Sequence, residues 1–355
     1  MNVPFSEKLR AELVRQEWDD DEFARATNLP ESTIGKIESG DYFPSAGELN
    51  AILAVLRKPV MWAVQAEIPQ ITRRYQDVHT TRPSDIEAGI ELLAYDIRHL
   101  MDTGVLVGKR PGPFKRPKTH VDAAHLARKV RRDANISESE PIGDLPALCD
   151  KFGLWEFASP FEGSWGPQGL MLEIDSESAN LPIGIAVINT CSPSFHQRFV
   201  LAHELCHWLI GDAYENKSVD NEFSSRKERG SKLHPEQACN SFAAHLLLPE
   251  QALAHFGQIT DESVLVDEAV RTAQTYGVGW RSTIGLLKSA GHISSEQAAK
   301  LKTHSEADQR VMDHSSVLPS DRIPAEYSRQ LAEGIKLGKL DQLEAINYSY
   351  GVALP

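Results

Sequence analysis

Apolar residues recur at helical spacing over most of the chain and give way to strand-like runs only in a central stretch. Between residues 5 and 64 four short amphipathic helices follow one another. Phe5, Leu9, Leu13 and Val14 mark the first (5–17), Phe23 and Ala24 the second (20–27). Ile34 and Ile37 mark the third (31–39), and Leu49, Ile52, Leu53 and Leu56 the fourth. Asn28-Leu29-Pro30 turns the chain between the second and third, Gly40 stops the third, and Ser45 caps the fourth. After an irregular polar stretch at 65–83, the pattern Ile86, Ile90, Leu93, Ile97, Leu100 predicts a further helix.

Beyond residue 120 the period changes twice. Helices are expected from Val121 and over 145–152, where Pro146 lies in the first turn and Gly153 ends the run. Strands are expected at 155–158, 171–174 and 183–189, with Gly163, Gly166, Pro167 and Gly169 in the loop between the first two. The edge of such a sheet could take up an extended peptide. The stretch Phe199–Ile210 then reads as a buried helix interrupted by His203, Glu204 and His207. Helices are expected again over 235–248, 262–276 and up to about residue 290, a polar linker at 303–320, and a helical tail from Ile323 suited to partner binding or dimerisation. The fold class is therefore α+β and mostly helical. The expected domains are 1–64, a connector and basic Pro/Gly-rich linker at 65–120, a larger domain at 121–300, and a linker and tail at 301–355.

Composition narrows the setting. No run of 18 apolar residues is present, so no membrane span is expected. The first residues show neither a basic region nor an apolar run of the secretory kind. Cys149, Cys191, Cys206 and Cys239 are scattered without a CxxC pair and read as reduced thiols, so the expected compartment is cytoplasmic. The net charge of −13 argues against broad non-specific nucleic-acid binding. Lys109, Arg110, Lys115, Arg116 and Lys118 form a basic run read as a solvated linker or as a patch for an acidic partner.

The chemistry lies in His203-Glu204-Leu205-Cys206-His207. Histidines four apart share a helix face, so both imidazoles can reach one zinc ion, with the intervening glutamate placed as general base. Two histidines need a third protein ligand. Ile210 and Ala213 stand where the metzincin pattern needs Gly and His, which excludes that arrangement. A glutamate on a later helix is the other common solution, and Glu236, just after Pro235, suits it. His234, His245, Glu222 and Glu228 are alternatives. His245 lies about 180° around the helix and about 13 Å along it from Glu236. Cys206 is turned about 100° from His207 and reads as a buried thiol. His234, His196 and Tyr214 are candidates for assisting the oxyanion or contacting substrate.

Two resemblances follow. The helices at 20–27 and 31–39, with the Ile37-Glu38-Ser39-Gly40 ending and Pro44-Ser45, resemble an Xre/Cro repressor-type helix-turn-helix domain. That resemblance would place the third helix in the major groove, with Ser32, Thr33 and Lys36 as contacts. Residues 1–64, however, hold seven Lys/Arg against eleven Asp/Glu, which weakens phosphate attraction and leaves protein recognition as the other reading. Arg198-Phe199-x-Leu201-Ala202-His203-Glu204-Leu205-x-His207, paired with Glu236-x-x-Cys239-Asn240-x-Phe242-Ala243-Ala244-x-Leu246-Leu247-Leu248-Pro249, resembles the ImmA/IrrE family of zinc metallopeptidases. The resemblance spans about 121–287. It implies one zinc ion held by His203, His207 and Glu236, Glu204 as general base, and regulatory proteolysis of a helix-turn-helix repressor or antitoxin encoded nearby. Cys206 and Cys239 stand where the family has glycine and alanine. A DNA-binding regulator, or a toxin-antitoxin component whose protease-like domain senses or binds a partner, is the alternative function.

Overall fold

The computed structural model describes residues 4–64, 85–112, 114–160, 168–211, 233–314, 322–350 and 352–354. Tyr214, Glu222, Glu228, the loop positions Gly163, Gly166 and Pro167, and residues 65–83 lie outside these. The chain is mostly helical with one small sheet, and it divides into two compact units. One comprises 1–71, 75–107 and 174–180; the other comprises 72–74, 108–173 and 181–355.

The first unit holds α1 (Phe5–Arg15), α2 (Asp20–Thr27), α3 (Glu31–Ser39), α4 (Ala46–Leu56), α5 (Val60–Val64) and α6 (Asp85–Asp102). Local chemistry sets the boundaries. Asp19 caps α2, Asn28 ends it in the left-handed conformation, and Ser45 and Glu48 form a reciprocal capping box on α4. Phe5, Leu9, Phe23, Ile34, Ile37, Ile52, Leu56 and Trp62 make the core, joined by Tyr95 of α6. Lys58 is buried between Glu91 (2.6 Å) and Glu12 (3.4 Å), so α6 is fixed to the bundle by charge as well as by apolar contact. Arg15 and Lys58 hold the Glu12 carboxyl below its ordinary range although burial opposes this.

The second unit begins with α7 (His120–Asp133) and α8 (Leu145–Lys151), followed by β1 (Leu154–Ser159), β2 (Gly169–Ile174) and β3 (Ile183–Asn189). The sheet order is β1-β3-β2, with β1 parallel to β3 and Leu154 opposite Gly184. All seven β3 residues are buried, as befits a central strand covered on both faces. Next come α9 (Ser194–Ile210), α10 (Pro235–Leu247) and a 3-10 segment (Glu250–Gln258). α11 (Glu262–Tyr276), α12 (Trp280–Ser289), α13 (Ser295–Lys302), α14 (Ser305–Asp313), α15 (Ala325–Lys336) and α16 (Gln342–Tyr348) complete it.

Two expectations need correction. Residues 305–313, expected within a polar linker, form α14, whose Ala307 and Val311 enter the same core as α9 and α10. Polar residues predominate there, but two apolar contacts suffice to dock one turn. The helical tail expected from Ile323 is present as α15 and α16 and packs on the sheet. Arg322 pairs with Ala158 across an antiparallel bridge on the outer side of β1, and Tyr327 packs against Trp155 and Phe157. The basic run at 109–118 is also packed. Arg110 pairs with Glu173 of β2 at 2.6 Å and lies over the ring of Trp208. The N–H of Phe114 donates to the Leu209 carbonyl. Arg110 thus meets a carboxylate and a helix end, while Lys109, Lys115, Arg116 and Lys118 are exposed.

Candidate metal centre

α9 is the central element of the second unit. Leu201, Ala202, Leu205, Cys206, Trp208 and Leu209 join its apolar cluster, so the helix is buried on nearly every side. Gly184 of β3 permits this approach: a Cβ there would lie 2.7 Å from the Trp208 ring. Trp208 is anchored further by its indole N–H, which donates to the Phe152 carbonyl at 2.8 Å. Gly211 ends the helix at φ +67°, a conformation that favours glycine. The Arg110 guanidinium lies at this end, where a cation suits the helix dipole.

Three side chains converge at this helix. Nε2 of His203 and Nε2 of His207 are 3.0 Å apart. Glu236 of α10 places Oε2 3.1 Å from the first and 3.8 Å from the second. His207 is fully buried, His203 is 14% exposed and Glu236 42% exposed, so the cluster opens on the glutamate side. Ligands about 2.0–2.1 Å from a tetrahedral zinc ion stand about 3.3 Å from one another. The three distances bracket that edge, and two imidazoles with one carboxylate are a donor set for zinc with one open position. The residues therefore fit the ion.

α10 supplies more than the carboxylate. Asn240 Oδ1 lies 2.9 Å from Nδ1 of His203, and Cys239 Sγ lies 3.3 Å from Nδ1 of His207. Positions 236, 239 and 240 share one face of a helix, so a single surface meets both nitrogens of each imidazole pair. The spacing that suggested Glu236 also contained this contact. What hid it was that the contact depends on how α9 and α10 are rotated against each other.

Glu204 is buried on α9 between the two histidines. His234 is exposed at the N-cap of α10 and makes no capping bond, and it is not part of the triad. His245 is half-buried and donates from Nδ1 to the Ser241 carbonyl, a packing role away from the triad. Burial holds the His196 imidazole below its ordinary pKa, as it does that of His245. Cys206 is fully buried in the apolar cluster. In the first unit, Ser32 and Lys36 are exposed on α3 and Thr33 is half-buried.

Residues 172–282 match the family model described as the IrrE N-terminal-like domain, Peptidase_M78. The matched segment contains β3, α9 and α10, and with them the three residues of the cluster and Glu204. This segment is metallopeptidase-like. No curated protein and no solved structure matches the chain significantly.

Proposed function

We propose that the chain is a zinc-dependent endopeptidase that cuts a regulatory protein. The observation that carries this reading is the convergence of His203, His207 and Glu236 around one point, with Glu204 on the same helix, inside the segment that matches a peptidase family. A zinc ion held by the three ligands supplies Lewis acidity toward water and the scissile carbonyl. Glu204 acts as general base: its carboxylate accepts the proton of the attacking water and returns it to the leaving amine.

The substrate is proposed to lie extended along β2. β2 is the outer strand of the sheet on that side, and no strand among the described residues covers its edge. The opposite outer strand, β1, is bridged by Arg322. Gly169, at the start of β2, is packed against Val200, one helical turn before His203 and Glu204. A strand added at β2 would donate and accept main-chain hydrogen bonds close to the metal ligands.

The partner proposed is an Xre-type repressor or antitoxin encoded beside this chain, recognised through residues 1–64, with Ser32, Thr33 and Lys36 of α3 as contacts. The excess of acidic residues there favours protein over DNA. The test is incubation of the purified full chain with that neighbouring repressor, with and without chelator. Metal-dependent cleavage at a defined bond is expected. A chain that takes up no zinc and leaves every such repressor intact overturns the reading.

A further inference from the structure

The geometry points to Cys239 as a positioning residue for the ligand His207, an inference that rests on the metal reading above. His207 is wholly buried, with Nε2 facing the triad and Nδ1 facing Cys239 Sγ at 3.3 Å. Cys239 is itself fully buried. Its sulfur sits on the opposite side of the imidazole from Nε2, so it is a partner of the ligand rather than a ligand.

A neutral imidazole has one N–H and one lone pair, and the hydrogen bond made by one nitrogen decides which tautomer is present. A ring that binds metal through Nε2 must carry its proton on Nδ1. That N–H then points at Sγ, a weak acceptor at a distance normal for the larger sulfur atom. The other tautomer would aim an N–H at Nε2 of His203 and fill the place of the metal. The sulfur can accept this N–H, as the Asn240 amide oxygen does for His203, and in this way supports the metal-ready form of His207. Of the other thiols, Cys191 is exposed, while Cys149 and Cys206 are buried in the same apolar cluster as Cys239. Neither methyl nor hydrogen at position 239 could accept this bond, so the cysteine has a role that its volume does not explain.

The test uses the full chain as wild type, Cys239→Ala and Cys239→Ser. Zinc affinity is measured by chelator competition, and the His207 tautomer by ring-nitrogen magnetic resonance of the metal-free protein. Cys239→Ala is expected to bind zinc about 10–100-fold more weakly and to lose the preference for the Nδ1–H tautomer. Cys239→Ser keeps an acceptor and is expected to recover most of both. Cys239→Val, which fills the volume without an acceptor, replaces the alanine variant if that variant does not fold. An acceptor-less variant that leaves either quantity unchanged overturns the inference. So does a cobalt-loaded wild type whose thiolate-to-cobalt charge-transfer band disappears in Cys239→Ala, since Cys239 would then be a direct ligand. Failure of the wild type to take up zinc would instead refute the metal reading, and the tautomer measurement would still report on the contact.

Discussion

The side-chain oxygen of Asn240 lies 2.9 Å from Nδ1 of His203, so this amide is oriented with its oxygen toward the ring and accepts the ring N–H. A ligand held in this way keeps Nε2 unprotonated and fixes its plane. Asn240→Ala removes the acceptor and is expected to weaken zinc binding about 10–100-fold. Asn240→Asp keeps an oxygen at the same place and should bind zinc at least as well as wild type. Chelator competition on the full chain checks both, and equal affinity of Asn240→Ala and wild type would contradict the assignment.

Glu204 carries no ligand atom of the triad, so its loss separates chemistry from metal binding. Glu204→Gln preserves size and hydrogen bonding but cannot accept the proton. Cleavage is expected to slow by about 10²–10⁴-fold while the zinc content stays at that of wild type. Single-turnover cleavage of the neighbouring repressor, with zinc measured on the same sample, reads both quantities. A variant that cuts at the wild-type rate removes Glu204 from the general-base role.

Arg131 of α7 shows how the metal helices are held from behind. It is fully buried, and its guanidinium donates to the carbonyls of Leu246 (2.5 Å), Ser137 (2.7 and 3.0 Å) and Glu140. Leu246 closes the last turn of α10, so one side chain satisfies carbonyls that a helix end leaves open. Burial lowers the Arg131 pKa, and the nearby Tyr276, Glu138 and Glu140 oppose the shift. Arg131→Met removes the donors and strands the buried Leu246 carbonyl, while Ser137 and Glu140 lie at exposed positions, at a cost of about 1–3 kcal/mol. Denaturant unfolding of the full chain measures the loss. A cost below about 1 kcal/mol would show that water replaces the guanidinium.

Much of this arrangement could be read from local signals. α2, α3, β3 and α11 fall where capping residues and apolar spacing predict them, because each boundary depends on its own neighbours. The triad was legible for the same reason: His203 and His207 are four apart, and Glu236 directly follows a helix-starting proline. The packing of Arg110 against Glu173 and Trp208 was not legible, since 63 residues separate the ion pair and a basic Pro/Gly-rich run looks the same whether packed or solvated. The contact of Cys239 with His207 depends on how two helices 32 residues apart are rotated against each other. α14 was missed because its buried face is only Ala307 and Val311.

Asp150 gives the fold a dependence on pH away from the metal. Its carboxylate ends α8 beside the start of α15, where Oδ2 accepts the Glu326 N–H at 3.3 Å. Burial, with Glu326, Asp144 and Glu156 nearby, pushes its pKa up to about 7, although the hydrogen bond from Glu326 opposes the shift. In the unfolded chain the group titrates near ~3.9. Between these values the folded state holds a proton that the unfolded state has released, so stability falls as pH rises from about 4 to 7 and then levels. The full swing is at most about 4 kcal/mol, and residual solvent access reduces it. Asp150→Asn keeps an acceptor for the Glu326 N–H and cannot ionise. It is expected to match wild type near pH 3–4 and to be more stable at pH 8. Thermal unfolding of both proteins across this range decides the matter. Parallel curves for the two would show that Asp150 ionises normally and that α15 is docked without its help.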